Sequence, residues 1–161
     1  MRVSLKNRIV LDTSVLVEYI IKRSKYRGFI EKIFESAFKG DLELFVNPIT
    51  LSETFYVASR IYRIAGIPNP NTEALNYITW LRTKAEVVNI NEDIILKAGE
   101  LKKELRIALV DCYVIATALN INAVPLFKKL EKEMRTVVVT LRKLGVMFLE
   151  EIVSTNSDTV S

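Results

Sequence analysis

Five acids could do chemistry together: Asp12, Glu53, Asp111, Glu131 and Glu133. Asp12 closes the apolar run Arg8-Ile-Val-Leu and is followed by Thr13 and Ser14. Glu53 lies near the start of the helix expected after the second strand, and Asp111 opens a nearly all-apolar helix. Glu131 and Glu133 follow the fourth expected strand. Carboxylates gathered at one edge repel one another strongly unless cations bind. Oxygen-only ligands select hard ions such as Mg2+ or Mn2+. A cluster of that kind assists displacement at phosphorus.

Composition removes the main competitors. The 161 residues contain no His, so His general bases, His-centred triads and His-ligated zinc are excluded. One cysteine, Cys112, allows no intrachain disulfide and no Cys-rich metal site. The sequence has neither G-x-G-x-x-G nor G-K-[ST], which argues against a dinucleotide or P-loop site. Asp12-Thr13-Ser14 lacks the second Asp of an aspartyl-phosphate phosphatase loop. Half of the chain is hydrophobic and 26% is charged, enough for a packed core. We expect one domain over residues 1–153 and a disordered polar tail over 154–161. The N-terminus is polar and basic, with no secretory pattern and no run long enough to span a membrane. A soluble, cytoplasmic chain is the expectation.

The elements that must position the acids alternate along the chain. Strands are expected at 8–12, 42–46, 86–90, 123–127 and 146–149, where short apolar runs are bounded by polar or turn residues. Helices are expected at 14–21, 29–38, 49–65, 71–84, 91–105, 110–121 and 128–135, with Gly40 and Gly66 as stops. Residues 136–141 fit helix and strand equally. Strands separated by helices imply an α/β fold with a parallel sheet covered on both faces. In such a sheet, sites lie at the carboxyl ends of the strands.

Each acid also has a purely structural explanation. Asp12 and Asp111 are good N-caps. Thr50-x-x-Glu53 matches a capping box, although Asn47-Pro48 competes as the start of the same helix. If Asp111 is instead inside its helix, it shares a face with Val114, Ile115 and Ala118 and needs a cation. Glu131 and Glu133 lie about 200° apart on a helix, so only one can face inward. Being nearer the strand end, Glu131 is the expected one.

Three blocks carry a family resemblance: Leu11-Asp12-Thr13-Ser14-Val15-Leu16, Ile49-Thr50-Leu51-Ser52-Glu53 and Val110-Asp111-Cys112-Tyr113-Val114-Ile115-Ala116-Thr117-Ala118. In order and spacing they resemble the motifs of PIN-domain nucleases, particularly the toxin subunits of type II VapBC toxin–antitoxin pairs. The resemblance runs from about Arg8 to Glu151. It implies a three-layer α/β/α fold with a five-stranded parallel sheet. The implied activity is endoribonucleolytic, with Mg2+ or Mn2+ as cofactor. Asp12, Glu53 and Asp111 match the family's metal-ligand positions, and Ser14 or Thr13 its water- or metal-holding position. Many members carry a fourth acid just after Pro-apolar-apolar in the fourth strand. Counting from Pro125, that slot falls at Lys129 or Leu130, with Glu131 the nearest acid.

The expected function is metal-dependent hydrolysis of RNA phosphodiester bonds by a toxin with a cognate antitoxin partner. Offsetting four acids with metal leaves 23 basic against 15 acidic residues, which favours a polyanion. Lys128, Lys129, Lys132, Arg135, Arg142 and Lys143 concentrate that charge late in the chain. An apolar helical surface rich in Phe and Tyr leads us to expect a homodimer. Two alternatives remain: the same fold as a catalytically weak module binding RNA or protein, and a phosphohydrolase of small phosphate esters.

Overall fold

The computed structural model describes residues 7–157. Five strands form one all-parallel sheet in the order β3-β2-β1-β4-β5. They are β1 (Arg8–Leu11), β2 (Glu43–Val46), β3 (Glu86–Val87), β4 (Val124–Phe127) and β5 (Met147–Phe148). The connecting helices are α1 (Thr13–Ile20), α2 (Arg27–Phe38), α3 (Pro48–Ile64), α4 (Pro70–Leu81), α5 (Glu92–Leu105), α6 (Leu109–Asn120) and α7 (Val138–Lys143). A last helix, α8, follows β5 over Leu149–Ser157.

Side chains alternate across a strand, so the apolar strands feed two cores. Val10, Phe45, Phe127 and Phe148 pack with α5 and α6 on one face. Ile9, Leu11, Leu44, Val46 and Leu126 pack with α1 and α2 on the other. This is the expected α/β/α layering. Among the described residues, no helix is long and apolar enough to cross a membrane.

The ends of elements depart from the sequence expectations for identifiable reasons. β3 stops at Val87, apart from one bond from Val88 N–H to the Val46 carbonyl. Its partner β2 ends there, so residues 89–90 have no ladder to join. β5 holds only Met147 and Phe148, because Leu149 already starts α8. Residues 154–157 continue α8, where the disordered tail is expected to begin; the rest of that tail lies outside the described residues. The ambiguous stretch 136–141 is helical: a 3₁₀ turn over Lys132–Val137 runs into α7. Residues 128–131, expected in a helix, precede that turn and are irregular.

The competing starts of α3 are resolved in favour of Asn47. Its Oδ1 accepts from Thr50 N–H at 2.8 Å, and Pro48 takes the first helical position. Its Nδ2 donates to Thr117 Oγ1 of α6 at 3.1 Å, and both residues are fully buried. One side chain therefore caps α3 and ties it to α6. Asn47→Ala removes the cap and leaves a buried hydroxyl short of a donor. We expect a loss of about 2–3 kcal/mol in urea unfolding; a loss under about 0.5 kcal/mol would show that water replaces both bonds.

Candidate active site

The order β3-β2-β1-β4-β5 reverses direction between β1 and β4. The crevice beyond the carboxyl ends of such neighbours is the usual ligand site of an open parallel sheet. Here it is a cavity of about 380 Å³ bordered by Asp12, Glu53, Asp111, Glu131 and Glu133. Lys128 and Lys129 lie on its basic side, and Val17, Val57, Phe127 and Met134 supply apolar wall. All five acids picked out in the sequence thus border one cavity.

Asp12 caps α1 and also borders the cavity. Its Oδ2 accepts from Ser14 N–H at 2.9 Å, closing the start of α1. The residue is only 5% exposed, and its Oδ1 is buried without a hydrogen-bond partner. Burial raises its pKa above the ordinary carboxylate value, and the charge of Glu53 adds to this; hydrogen bonds from Ser14 oppose it. Asp111 does not cap: Ala108 holds that position, and Asp111 lies in the first turn of α6. Burial, then the charges of Asp12, Glu53, Glu133 and Glu131, push its carboxyl up to about 7. The positive end of α6 favours a carboxylate, but desolvation and four acid neighbours win.

Glu53 sits in the second turn of α3, counted from Asn47, so the capping-box explanation fails. Glu131 and Glu133 both border the cavity, contrary to the expectation that only one can. The helical-wheel argument does not apply, because Glu131 precedes the 3₁₀ turn in extended backbone while Glu133 lies within it. Of the two, Glu133 weighs more on Asp111.

The two hydroxyls beside Asp12 have different duties. Thr13 Oγ1 donates to the Thr50 carbonyl at 3.4 Å and accepts from Thr54 Oγ1 at 3.3 Å. It ties α1 to α3. Ser14 Oγ accepts from Lys128 N–H at 3.0 Å and ties α1 to the end of β4. With the Asn47–Thr117 bond, buried polar contacts link α3, which carries Glu53, to α1, which Asp12 caps, and to α6, which carries Asp111. The sequence reading missed this scaffold, and it missed Glu18, which is 8% exposed and pairs with Lys128 at 2.7 Å.

These residues fit a divalent cation. A buried carboxylate oxygen lacks any donor, and neither Asp12 nor Asp111 has an ion-pair partner among the described residues. As placed, no described group of three acids is close enough to share an ion. Glu131 and Glu133 are exposed at the rim of the cavity.

Stability of the metal-free protein should record the acid crowding. The folded-state pKa of Asp111 is raised, so its contribution is complete below about pH 4 and fades as the pH rises through about 7. In EDTA, Asp111→Asn should raise the melting temperature at pH 8 and raise it much less at pH 5, where the native carboxyl keeps its proton and only the unfolded chain is ionised. The gain at pH 8 should be on the order of 1–2 kcal/mol, reduced from the full conversion by partial exposure. An equal effect at both pH values would contradict the electrostatic explanation.

Comparison with known proteins places the geometry. The PIN domain family model matches residues 9–137. No curated protein matches the chain. Similar solved structures include VapBC-1 from nontypeable Haemophilus influenzae, with 22% identity, TM-score 0.62, and coverage of 89% of this chain and 98% of that one. A toxin-antitoxin complex from Klebsiella pneumoniae has 15% identity, TM-score 0.60, and coverage of 88% and 97%. VapC20 from Mycobacterium tuberculosis, described as a sarcin-ricin loop cleaving toxin, has 16% identity, TM-score 0.55, and coverage of 71% and 84%. The family match spans the three motif blocks, and the parallel sheet carries their acids to one cavity: the chain belongs to the PIN domain family.

Proposed function

We propose that this protein is a divalent-metal-dependent endoribonuclease, the toxin of a toxin–antitoxin pair acting on cytoplasmic RNA. The observation that carries the reading is the buried, unpartnered Oδ1 of Asp12 in a cavity shared with four other acids. Asp12, Glu53 and Asp111 are the residues to hold Mg2+ or Mn2+, with Glu131 and Glu133 at the rim. When bound, the ion supplies Lewis-acid polarisation and water activation for displacement at phosphorus.

The chain's own residues do the rest. Ser14 N–H fixes Asp12 Oδ2 and leaves Oδ1 for a cation. Asp111 gives up its proton as the pH rises past about 7, so its charged form prevails on the alkaline side. Lys129 is 4.0 Å from Glu131 in an exposed pair worth little, and it is available to a phosphate. Lys132, Arg135 and Lys143 are exposed and form no ion pair with a described acid. Arg142 is committed to Glu151 through two bonds of 3.1 and 2.7 Å, so it is a weaker candidate for gripping RNA.

An antitoxin has a suitable surface. Tyr19, Tyr77 and Trp80 stack with centroids 5.0 to 6.2 Å apart, and Phe34 meets Tyr19 and Trp80 edge-on. The adjoining groove is lined by Tyr19, Phe34, Phe38 and Trp80, with Phe38 83% exposed. An amphipathic helix fits such a groove. It lies on α1, α2 and α4. The Klebsiella neighbour, described as a toxin-antitoxin complex, and VapC20, described as a sarcin-ricin loop cleaving toxin, support the reading. Self-association as a homodimer is the accompanying proposal; exposed Tyr56 and Ile64 on α3 offer apolar surface for it.

Asp12→Asn and Asp111→Asn should each lower cleavage of a structured RNA at least about a hundredfold while the fold is retained. EDTA should abolish cleavage and Mn2+ restore it. Glu53→Gln should lose activity without losing stability, since Glu53 caps nothing. Full cleavage by either Asp variant would refute the site, and hydrolysis of a small phosphate ester without RNA cleavage would favour the other phosphohydrolase reading.

A basic side chain of the antitoxin entering the acids gains charge-assisted bonds that the cation would otherwise take. Antitoxin affinity should therefore fall as Mg2+ rises. Affinity indifferent to Mg2+, with RNA cleavage still blocked, would place the inhibition away from the acids.

A further inference from the structure

The cavity holds a puzzle in charge placement. Lys128 borders it and starts the segment leading to Glu131 and Glu133. Its backbone is one hydrogen bond from Ser14, and Ser14 is one hydrogen bond from Asp12. A four-carbon stem is flexible enough to turn an ammonium from such a position toward Asp12. Asp12 Oδ1 is buried and has no partner. Yet the Lys128 ammonium goes elsewhere: its Nζ is 2.7 Å from Glu18 Oε1, with side-chain exposures of 24% and 11%.

Glu18 is built to receive it. Its other oxygen, Oε2, accepts from the Ser24 hydroxyl. Ser24 Oγ in turn accepts from Tyr26 N–H at 3.1 Å, which leaves its proton directed to Glu18. Lys128 is held through its main chain as well: N–H to Ser14 Oγ, and carbonyl from Glu150 N–H at 2.8 Å. The main chain is thus fixed by two elements, and only the side chain has a choice of carboxylate.

We propose that Glu18 is a positioning residue that holds the Lys128 ammonium away from the acid cluster and so keeps the cation position open. This rests on the metal-binding reading of the cavity and adds a regulator to it. Without Glu18, Lys128 would turn to the remaining carboxylates and act as an internal competitor of the divalent ion. Glu18 thus influences the metal without touching it. Because Glu18 and Lys128 pair with each other, their removal should be strongly non-additive.

The test is Mn2+ binding to the full chain, measured by electron paramagnetic resonance of free Mn2+ and by calorimetry, with circular dichroism to check folding. Glu18→Gln should weaken Mn2+ binding about tenfold. Glu18→Gln combined with Lys128→Met should return affinity to the wild-type value, because the competing ammonium is gone. If Glu18→Gln does not fold, Lys128→Met alone carries the test: it should bind Mn2+ at least as well as wild type. Unchanged affinity in Glu18→Gln would overturn the inference. So would an equal loss in the single and double variants, which is what a merely structural tether gives. If wild type binds Mn2+ no better than Asp12→Asn, the metal reading itself fails and this inference goes with it. Wild-type binding that is lost in Asp12→Asn but unaffected by Glu18→Gln sinks this inference alone.

Discussion

A carboxylate removed from water needs a donor or a cation, and Asp12 has a donor on only one of its two oxygens. Much of the molecule's functional end follows from that shortfall. Burial leaves the second oxygen uncompensated, and the acids of α3, α6 and the segment after β4 add repulsion. A fold selected only for stability would place a basic side chain there. Instead the nearby ammonium of Lys128 is spent on Glu18. The cavity is left with an excess of negative charge, which a divalent cation can relieve.

Keeping that charge together requires a stiff frame. The motif-bearing segments are separated by 41 residues between Asp12 and Glu53 and by 58 between Glu53 and Asp111. The parallel sheet brings the strand ends to one edge, but it does not fix the helices to one another. That is done by small buried polar side chains: Thr13 with Thr50 and Thr54, and Asn47 with Thr117. In an apolar setting such bonds are costly to break, because each leaves a polar group unsatisfied. The hydroxyls beside Asp12 are used to hold α1 to α3 and to the end of β4.

The division of surface follows the same geometry. The carboxyl edge is charged, while the outer faces of α1, α2 and α4 gather stacked aromatic rings beside exposed Phe38. α1 contributes to both, with Asp12 at its start and Tyr19 about two turns further on.

Residue types and their order were enough for the class of fold and narrowed the candidate chemistry to oxygen ligands. Absence of His, one Cys and dispersed acids left oxygen ligands only, and alternating apolar runs and helical patterns required a covered parallel sheet. Asn47-Pro48 and Asn91 marked their helix starts locally, because a cap is made within four residues. Sequence also showed which acids follow strand ends. It could not settle Glu131 against Glu133, because the answer depends on where the 3₁₀ turn begins, and that is set by packing of Met134 into the core. The lengths of β3 and β5 likewise depended on where their neighbours stop. The Lys128–Glu18 pair spans 110 residues and has no local signature. Neither has the duty of the Thr13 hydroxyl, whose partners lie on α3. Local rules reach about one helical turn; which buried charge meets which partner is decided only when the sheet has brought distant segments together.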